Sequence, residues 1–230
     1  MQGILLVDKP AGWTSFDAVN YVRKIVASAE DKPPKRVKVG HSGTLDPFAT
    51  GLLVLLIGKE YTKRAGELSK LDKTYEVTMC LGRTSTTGDP EGEISPVSDD
   101  VPKKDELEST LKKFLGTIEQ VPPAYSAVKV GGQRAYRLAR AGKEVQIDPR
   151  QVTINGLEMT NYDYPEVRFI AEVSSGTYIR TLVGDMGRVL GTGAYTMALR
   201  RTLVGRFDAK DAIGPKDITT SNILGRLQGL

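Results

Sequence analysis

Two neighbouring stretches constrain this chain most: the apolar run Leu52–Ile57 and the polar, glycine-rich segment Gly40–Gly51 that leads directly into it. The run is far short of the roughly 18 apolar residues that a membrane-spanning helix requires, so it reads as a core strand. A polar loop held against a core strand is a usual place for a functional site. The patterning on either side supports a mixed fold. Gly3–Val7 reads as a buried strand ended by the turn Asp8-Lys9-Pro10-Ala11-Gly12. Thr14 with Asp17 forms a capping-box pattern. It opens a helix whose apolar face is Phe16, Val19, Val22, Ile25 and Val26 and which must end before Pro33-Pro34.

Further along, Tyr75, Val77, Met79 and Leu81 alternate with Glu76, Thr78 and Cys80 over residues 74–82, the period of a half-buried strand. Residues 84–102 read as an exposed acidic loop. Pro102 then opens a helix with Leu107, Leu111, Phe114 and Leu115 inward and Gly116 as its stop. Residues 121–150 read as a projecting segment containing Gly131-Gly132 and a short basic helix around Tyr136–Ala141. A second alternating strand, Glu166–Ser174, leads through Ser175-Gly176-Thr177-Tyr178 into a helix that buries Ile179, Leu182, Val183, Met186, Val189 and Leu190 and stops at Gly191. Strands mix with helices without a regular βαβ repeat, so the expected class is α+β.

Charge narrows the choice of partner. Of 230 residues, 32 are Lys or Arg and 28 are Asp or Glu, a net charge of +4. Residues 1–115 hold 17 of each sign, so the excess lies entirely in the second half, and Lys129–Arg150 alone, with six basic and two acidic residues, accounts for it. Lys32, Lys35, Arg36 and Lys38 form a second basic cluster, whereas Asp89–Glu108 holds eight acids and two lysines. A basic side and an acidic side suit a polyanionic partner. The N-terminus lacks the pattern of a signal peptide, and the expected location is the cytoplasm, without a membrane anchor.

Familiar catalytic motifs fail. Gly40-His41-Ser42-Gly43-Thr44 ends in Thr where a nucleophile elbow needs Gly, and the only histidine, His41, is the serine's own neighbour. Gly191-Thr192-Gly193 lacks the third glycine of a dinucleotide fingerprint, and Gly58-Lys59 lacks the Ser or Thr of a phosphate loop. One cysteine, Cys80, and one histidine cannot build a Cys/His zinc site, which leaves only an all-carboxylate magnesium site open. The expectation is cofactor-free chemistry that uses Asp, Glu, Tyr, Lys, Arg or the one histidine, with no metal ligand assigned.

The string Gly40-His41-Ser42-Gly43-Thr44-Leu45-Asp46-Pro47-Phe48-Ala49-Thr50-Gly51-Leu52 resembles the signature of the tRNA pseudouridine synthase B family. Other segments resemble that family in the same order. They are Asp8-Lys9-Pro10-Ala11-Gly12, Lys73-Thr74-Tyr75, Pro122-Pro123-Ala124-Tyr125-Ser126-Ala127-Val128-Lys129, Ser175-Gly176-Thr177-Tyr178-Ile179-Arg180 and Leu199-Arg200-Arg201.

The resemblance implies a pseudouridine synthase fold: a mixed, mostly antiparallel central sheet flanked by helices, with an inserted basic thumb-like segment at about 121–150. It also implies conversion of uridine to pseudouridine in RNA, at uridine 55 in the T-loop of tRNA, without a cofactor. Asp46 matches the catalytic aspartate, Arg180 the arginine that pairs with it, and Tyr178 the tyrosine placed over the uracil. In substrate binding, Tyr75 matches a stacking tyrosine, His41 a histidine that occupies the space left by flipped nucleotides, and Leu199 an apolar pocket residue. Lys9 and Pro10 are expected to brace the loop of Asp46. Lys129, Arg134, Arg137, Arg140 and Lys143 would grip RNA phosphates, with Tyr136 available for stacking. The chain is expected to be one catalytic domain over residues 1–230, without the small C-terminal RNA-binding (PUA-type) module common in the family, and to act on the tRNA T-arm as a monomer. A non-catalytic tRNA-binding or tRNA-folding protein would keep the basic clamp and leave Asp46 idle. The same isomerase acting on another T-arm-like RNA would look alike in sequence.

Overall fold

The computed structural model describes residues 1–229, which form two compact units, residues 1–75 with 199–229 and Glu76–Ala198. The first unit begins with β1 (Gly3–Lys9), α1 (Ser15–Ala29), β2 (Val39–His41), β3 (Thr50–Ile57) and two short helices, α2 (Lys59–Lys63) and α3 (Ala65–Ser69). β4 (Lys73–Leu81) carries the chain into the second unit. There follow the hairpin β5 (Arg83–Ser85) and β6 (Ile94–Pro96), α4 (Lys104–Lys113) and β7 (Gly116–Gln120). The inserted segment holds β8 (Lys129–Val130), β9 (Gln133–Arg134) and α5 (Ala135–Arg140). The second unit continues with β10 (Arg150–Asp163), β11 (Glu166–Val173) and α6 (Ile179–Leu190), and β12 (Ala194–Val204) returns the chain to the first unit, where β13 (Phe207–Asp208) folds back on it.

In the first unit β3 is the central strand. It pairs antiparallel with β1 over Gly3–Lys9 and with β2 over Val39–His41, and parallel with β12 at Arg200 and Arg201. Every residue from Leu52 to Ile57 is fully buried, as an uninterrupted apolar strand requires. One face of it packs with Ile4, Leu6, Leu68, Val204 and Phe207. In the second unit β10 pairs antiparallel with both β7 and β11, and α4 packs against α6 and β10. The class is α+β with mostly antiparallel strands, as expected.

Helix α1 starts where its cap predicts. Thr14 Oγ1 accepts the Asp17 N–H at 3.1 Å while Asp17 Oδ2 accepts the Thr14 N–H at 2.8 Å, which satisfies two N–H groups that the first helical turn leaves without partners. Its inward face differs from the expected one: Ser15, Ala18, Val19, Val22 and Val26 are buried, whereas Phe16 is 61% exposed. Phe16 lies about 100° round the helix from Ser15, and the Arg23 guanidinium covers its ring at 5.9 Å. Val189 and Leu115 are likewise exposed. Helix α6 turns Gly187 inward where a wider apolar stripe was expected, and α4 stops at Lys113, before Leu115.

Two loop assignments and the facing of one strand residue also change. The Gly40–Gly51 segment is strand at both ends, because β2 and β3 reach into it. Residues 84–102 contain the β5–β6 hairpin, and Asp89, expected in solvent, is buried. Cys80, expected on the polar face of β4, is buried too. Among the described residues no helix is long and apolar enough to cross a membrane.

Candidate active site

The loop between β2 and β3 is fixed by its main chain. Ser42 N–H donates to Val54 O at 3.1 Å. Buried Ser15, at the start of α1, donates from Oγ to Leu45 O at 3.0 Å and accepts the Leu45 N–H at 2.8 Å. Lys9, fully buried at the end of β1, donates from Nζ to Pro10 O at 2.9 Å, Trp13 O at 2.7 Å and Pro47 O at 3.2 Å. Arg201, 2% exposed on β12, donates from Nε to Leu52 O at 2.8 Å and from its terminal nitrogens to Gly43 O at 3.1 Å and Thr44 O at 3.5 Å.

Asp46 therefore lies between two pinned neighbours, Leu45 and Pro47, and its own carbonyl accepts the Ala49 N–H at 3.2 Å. The residue is half-buried. A carboxylate held by its backbone in this way loses little entropy on reaching an attacking geometry. Gly51, where the loop joins β3, has φ +97°, and a Cβ there would stand 2.3 Å from Arg201 O. Only glycine lets the β12 backbone approach this closely.

The other first-unit candidates lie on neighbouring strands. His41 closes β2, and its Nδ1 is buried without a hydrogen-bond partner. Burial, and then the Arg201 charge, lower its pKa below the ordinary histidine value, against an opposing contribution from the Gly43 backbone. Both effects favour the uncharged imidazole. Tyr75 on β4 and Leu199 on β12 are both buried. Two residues before Tyr75, buried Lys73 donates to Ser69 O at 2.7 Å and to Leu71 O. Burial and the Arg201 charge bring Lys73 down to about 8, although Asp72 opposes them.

The second unit carries Tyr178 and Arg180. Tyr178 precedes α6 and is clasped by Gln120, whose Oε1 accepts the Tyr178 N–H at 2.7 Å and whose Nε2 donates to Tyr178 O at 3.1 Å. Arg180 is 5% exposed. It donates to Thr87 O and Tyr125 O, each at 2.9 Å, and forms an ion pair at 3.2 Å with Asp89, itself 3% exposed. Asp89 is in turn held by Thr87 Oγ1 and, at 3.0 Å, by the Glu91 N–H. A buried guanidinium needs this completeness of partners to offset its lost hydration. In the inserted segment Lys129, Arg134, Arg137, Arg140 and Lys143 are all exposed. Tyr136 is half-buried, with the Arg137 and Arg140 guanidinium groups 6.0 and 5.7 Å from its ring centre. Among the described residues no three of His, Cys, Asp and Glu gather as a metal site.

Comparison with known proteins bears on this arrangement. Residues 31–179 match the family model of the TruB family pseudouridylate synthase N-terminal domain, and residues 180–225 match the tRNA pseudouridylate synthase B C-terminal domain. The chain belongs to the TruB family.

Among TruB relatives, tRNA pseudouridine synthase B of Pseudomonas aeruginosa is 47% identical over 213 residues, which are 93% of this chain and 67% of that protein. The Flavobacterium johnsoniae protein of the same name is 42% identical over 94% of this chain and 93% of its own length. Among solved structures, a chain from a Cbf5–Nop10–Gar1 complex superposes with a TM-score of 0.71 at 30% identity over 94% of this chain, and one from an H/ACA RNP bound to a substrate RNA containing 2′-deoxyuridine with 0.67 at 27%. This chain spans about half the length of those two, at 53% and 51%.

Three residues that hold candidate residues in place within their own units escape a motif-by-motif reading of sequence. Ser15 looked like the first helical residue after a cap. Asp89 was one of eight acids in a run assigned to solvent. Arg201 was visible only as the end of Leu199-Arg200-Arg201. The one available signal for Arg201 is an arginine in a strand otherwise destined for the core.

Proposed function

We propose that this chain converts uridine to pseudouridine in tRNA, at uridine 55 of the T-loop, with Asp46 as the nucleophile toward a flipped-out base. The observation that carries the reading is the clamped loop: a half-buried carboxylate whose flanking residues are held by Ser15 and Lys9. The reaction breaks the N1–C1′ bond and forms C5–C1′, C5 gives up a proton and N1 gains one, so the atoms balance without an oxidant, reductant or cofactor. A carboxylate can bond transiently to the substrate and then leave, which divides one difficult exchange into two easier ones.

The remaining roles follow from the family resemblance. Arg180 supplies the positive charge that opposes the rise in carboxylate pKa expected on desolvation. Tyr178 assists removal of the C5 proton. Tyr75 stacks on the uracil, Leu199 lines its pocket, and neutral His41 stacks among the splayed loop bases. Flipping the uridine costs a few kcal/mol of unstacking, supplied by phosphate contacts from Lys129, Arg134, Arg137, Arg140 and Lys143. Tyr136, already engaged with two arginines, orders them for that contact. We read residues 1–230 as a single catalytic domain acting as a monomer in the cytoplasm.

The test is pseudouridine formation on unmodified tRNA and on an isolated T-arm stem-loop, read by tritium release from C5-labelled uridine. Asp46→Asn is run alongside. The expected result is turnover on both RNAs by the parent, none by the variant, and equal RNA binding by the two. Tight binding with no turnover on either RNA overturns the enzyme reading in favour of a tRNA-binding or tRNA-folding protein.

A further inference from the structure

We propose that Arg201 is a positioning residue for the reaction: its guanidinium sets the place of the Asp46 loop by bridging Gly43 and Thr44 to Leu52 of the central strand. The inference rests on the reading of Asp46 as the nucleophile, but its geometry stands independently. Arg201 is among the most deeply buried large side chains of the molecule, at 2% exposure, and the groups it bonds are three main-chain carbonyls: Leu52 O at 2.8 Å, Gly43 O at 3.1 Å and Thr44 O at 3.5 Å. A planar fork of donors suits such a task. One edge lies on the strand and the other on the loop, so the distance between them is set by the rigid guanidinium.

The register strengthens the point. Arg201 pairs in parallel with Gly51, where a Cβ would stand 2.3 Å from the Arg201 carbonyl. The backbone of β12 is thus locked to one end of the loop while its side chain grips the other. Nothing in this arrangement is a surface ion pair, for which an arginine is a common and weak choice. Keeping a guanidinium in a core against carbonyls alone is costly, and such cost is tolerated where position matters.

The charge has a second consequence inside the same unit. Arg201 opposes protonation of both His41 and Lys73. Burial first and the Arg201 charge second thus favour the uncharged form of His41, whose Nδ1 is buried without a hydrogen-bond partner.

The chain's single histidine makes the test direct, because its ring proton resonance is the only one of its kind. Arg201→Met and Arg201→Lys are compared with the parent by NMR titration of His41, by amide exchange at Ser42, Leu45 and Ala49, and by single-turnover rate at saturating tRNA. In Arg201→Met the His41 midpoint is expected to move upward, exchange at the three amides to accelerate, and the rate to fall by about 100-fold with tRNA affinity little changed, since a small misplacement costs that much. In Arg201→Lys, which keeps the charge but loses the fork, His41 should titrate as in the parent while amide exchange and rate stay impaired.

Two results overturn the proposal: a folded Met variant with parental His41 titration and parental amide exchange, or a Lys variant with parental exchange and rate. Should the Met variant fail to fold, the Lys variant alone decides. If instead the parent makes no pseudouridine, the function assigned above fails, while the exchange and titration data still report whether Arg201 sets the loop.

Discussion

The Asp46 loop and the inserted basic segment are built on opposite principles. The loop of Ser42–Ala49 has little charge of its own, and its main chain is seized from three directions by side chains that are essentially buried, Lys9, Ser15 and Arg201. The segment 121–150 is rich in cations whose side chains lie in solvent, and its ordered hydrogen bonds are mostly local, such as Ala135 N–H to Val128 O at 2.8 Å and Tyr136 N–H to Ser126 O at 3.1 Å. Bond-making chemistry rewards fixed geometry, because a displaced reactive atom loses rate steeply. Holding a phosphate backbone rewards charge and tolerates adjustment. The contrast therefore predicts that damage to the loop's supports appears in rate and stability, and damage to the segment in affinity and salt dependence.

The largest effect is expected at the buried pair in the second unit. Asp89→Asn removes a carboxylate 3.2 Å from Arg180 where both side chains are almost wholly buried, and loss of one partner of such a pair costs about 3 kcal/mol or more. Urea denaturation should give a lower midpoint with an unchanged slope, and turnover should fall because Arg180 is displaced. A variant as stable as the parent would mean that Asp89 contributes no more than a surface carboxylate. Ser15→Ala ranks next. It strips the Leu45 N–H of an acceptor in a buried place, a loss of about 1 to 3 kcal/mol. The rate constant at saturating tRNA should drop while affinity holds; the reverse pattern would break the distinction drawn between the two regions.

A smaller effect comes from pH. The folded state lowers the His41 pKa below 6.5, so below 6.5 the unfolded chain takes up the proton more readily than the folded one. The corresponding stability is complete above 6.5 and is lost as pH falls. Relative to His41→Gln, the parent should melt progressively earlier as pH falls below 6.5, as followed by circular dichroism. A difference in melting temperature that does not vary with pH would place His41 in an environment like water.

Much of this was legible beforehand because it follows from local rules. The uninterrupted run Leu52–Ile57 could only be a core strand, Thr14 with Asp17 could only cap a helix, and Gly191, in the left-handed conformation at φ +75°, ends α6 as its position suggests. The Asp46 loop was recognisable from its string of residues. What could not be read were facts that depend on long-range packing. Asp89 and Arg180 are 91 positions apart in sequence, and only their shared burial distinguishes Asp89 from the acids around it. Ser15 and Leu45, 30 positions apart, meet because α1 delivers its first turn to the loop. Phe16, Leu115 and Val189 show the same limit from the other side, since an apolar residue at the edge of a helical stripe is buried only if a neighbour covers it.

The smallest single effect lies in the inserted segment. Lys129→Ala and Lys143→Ala each remove one exposed cation from the inserted segment and disturb no buried group. If each contacts one phosphate, the slope of log affinity against log salt should become shallower by about 0.7 to 0.9 for each residue removed, equally for the T-arm stem-loop and for whole tRNA. Saturating tRNA should then restore the full rate, because the Asp46 loop is untouched. A loss of rate that saturation cannot recover would mean that the segment helps set the reacting geometry. Unchanged salt dependence would instead move the phosphate contacts elsewhere, with the cluster Lys32, Lys35, Arg36 and Lys38, exposed after α1, as the next place to cut.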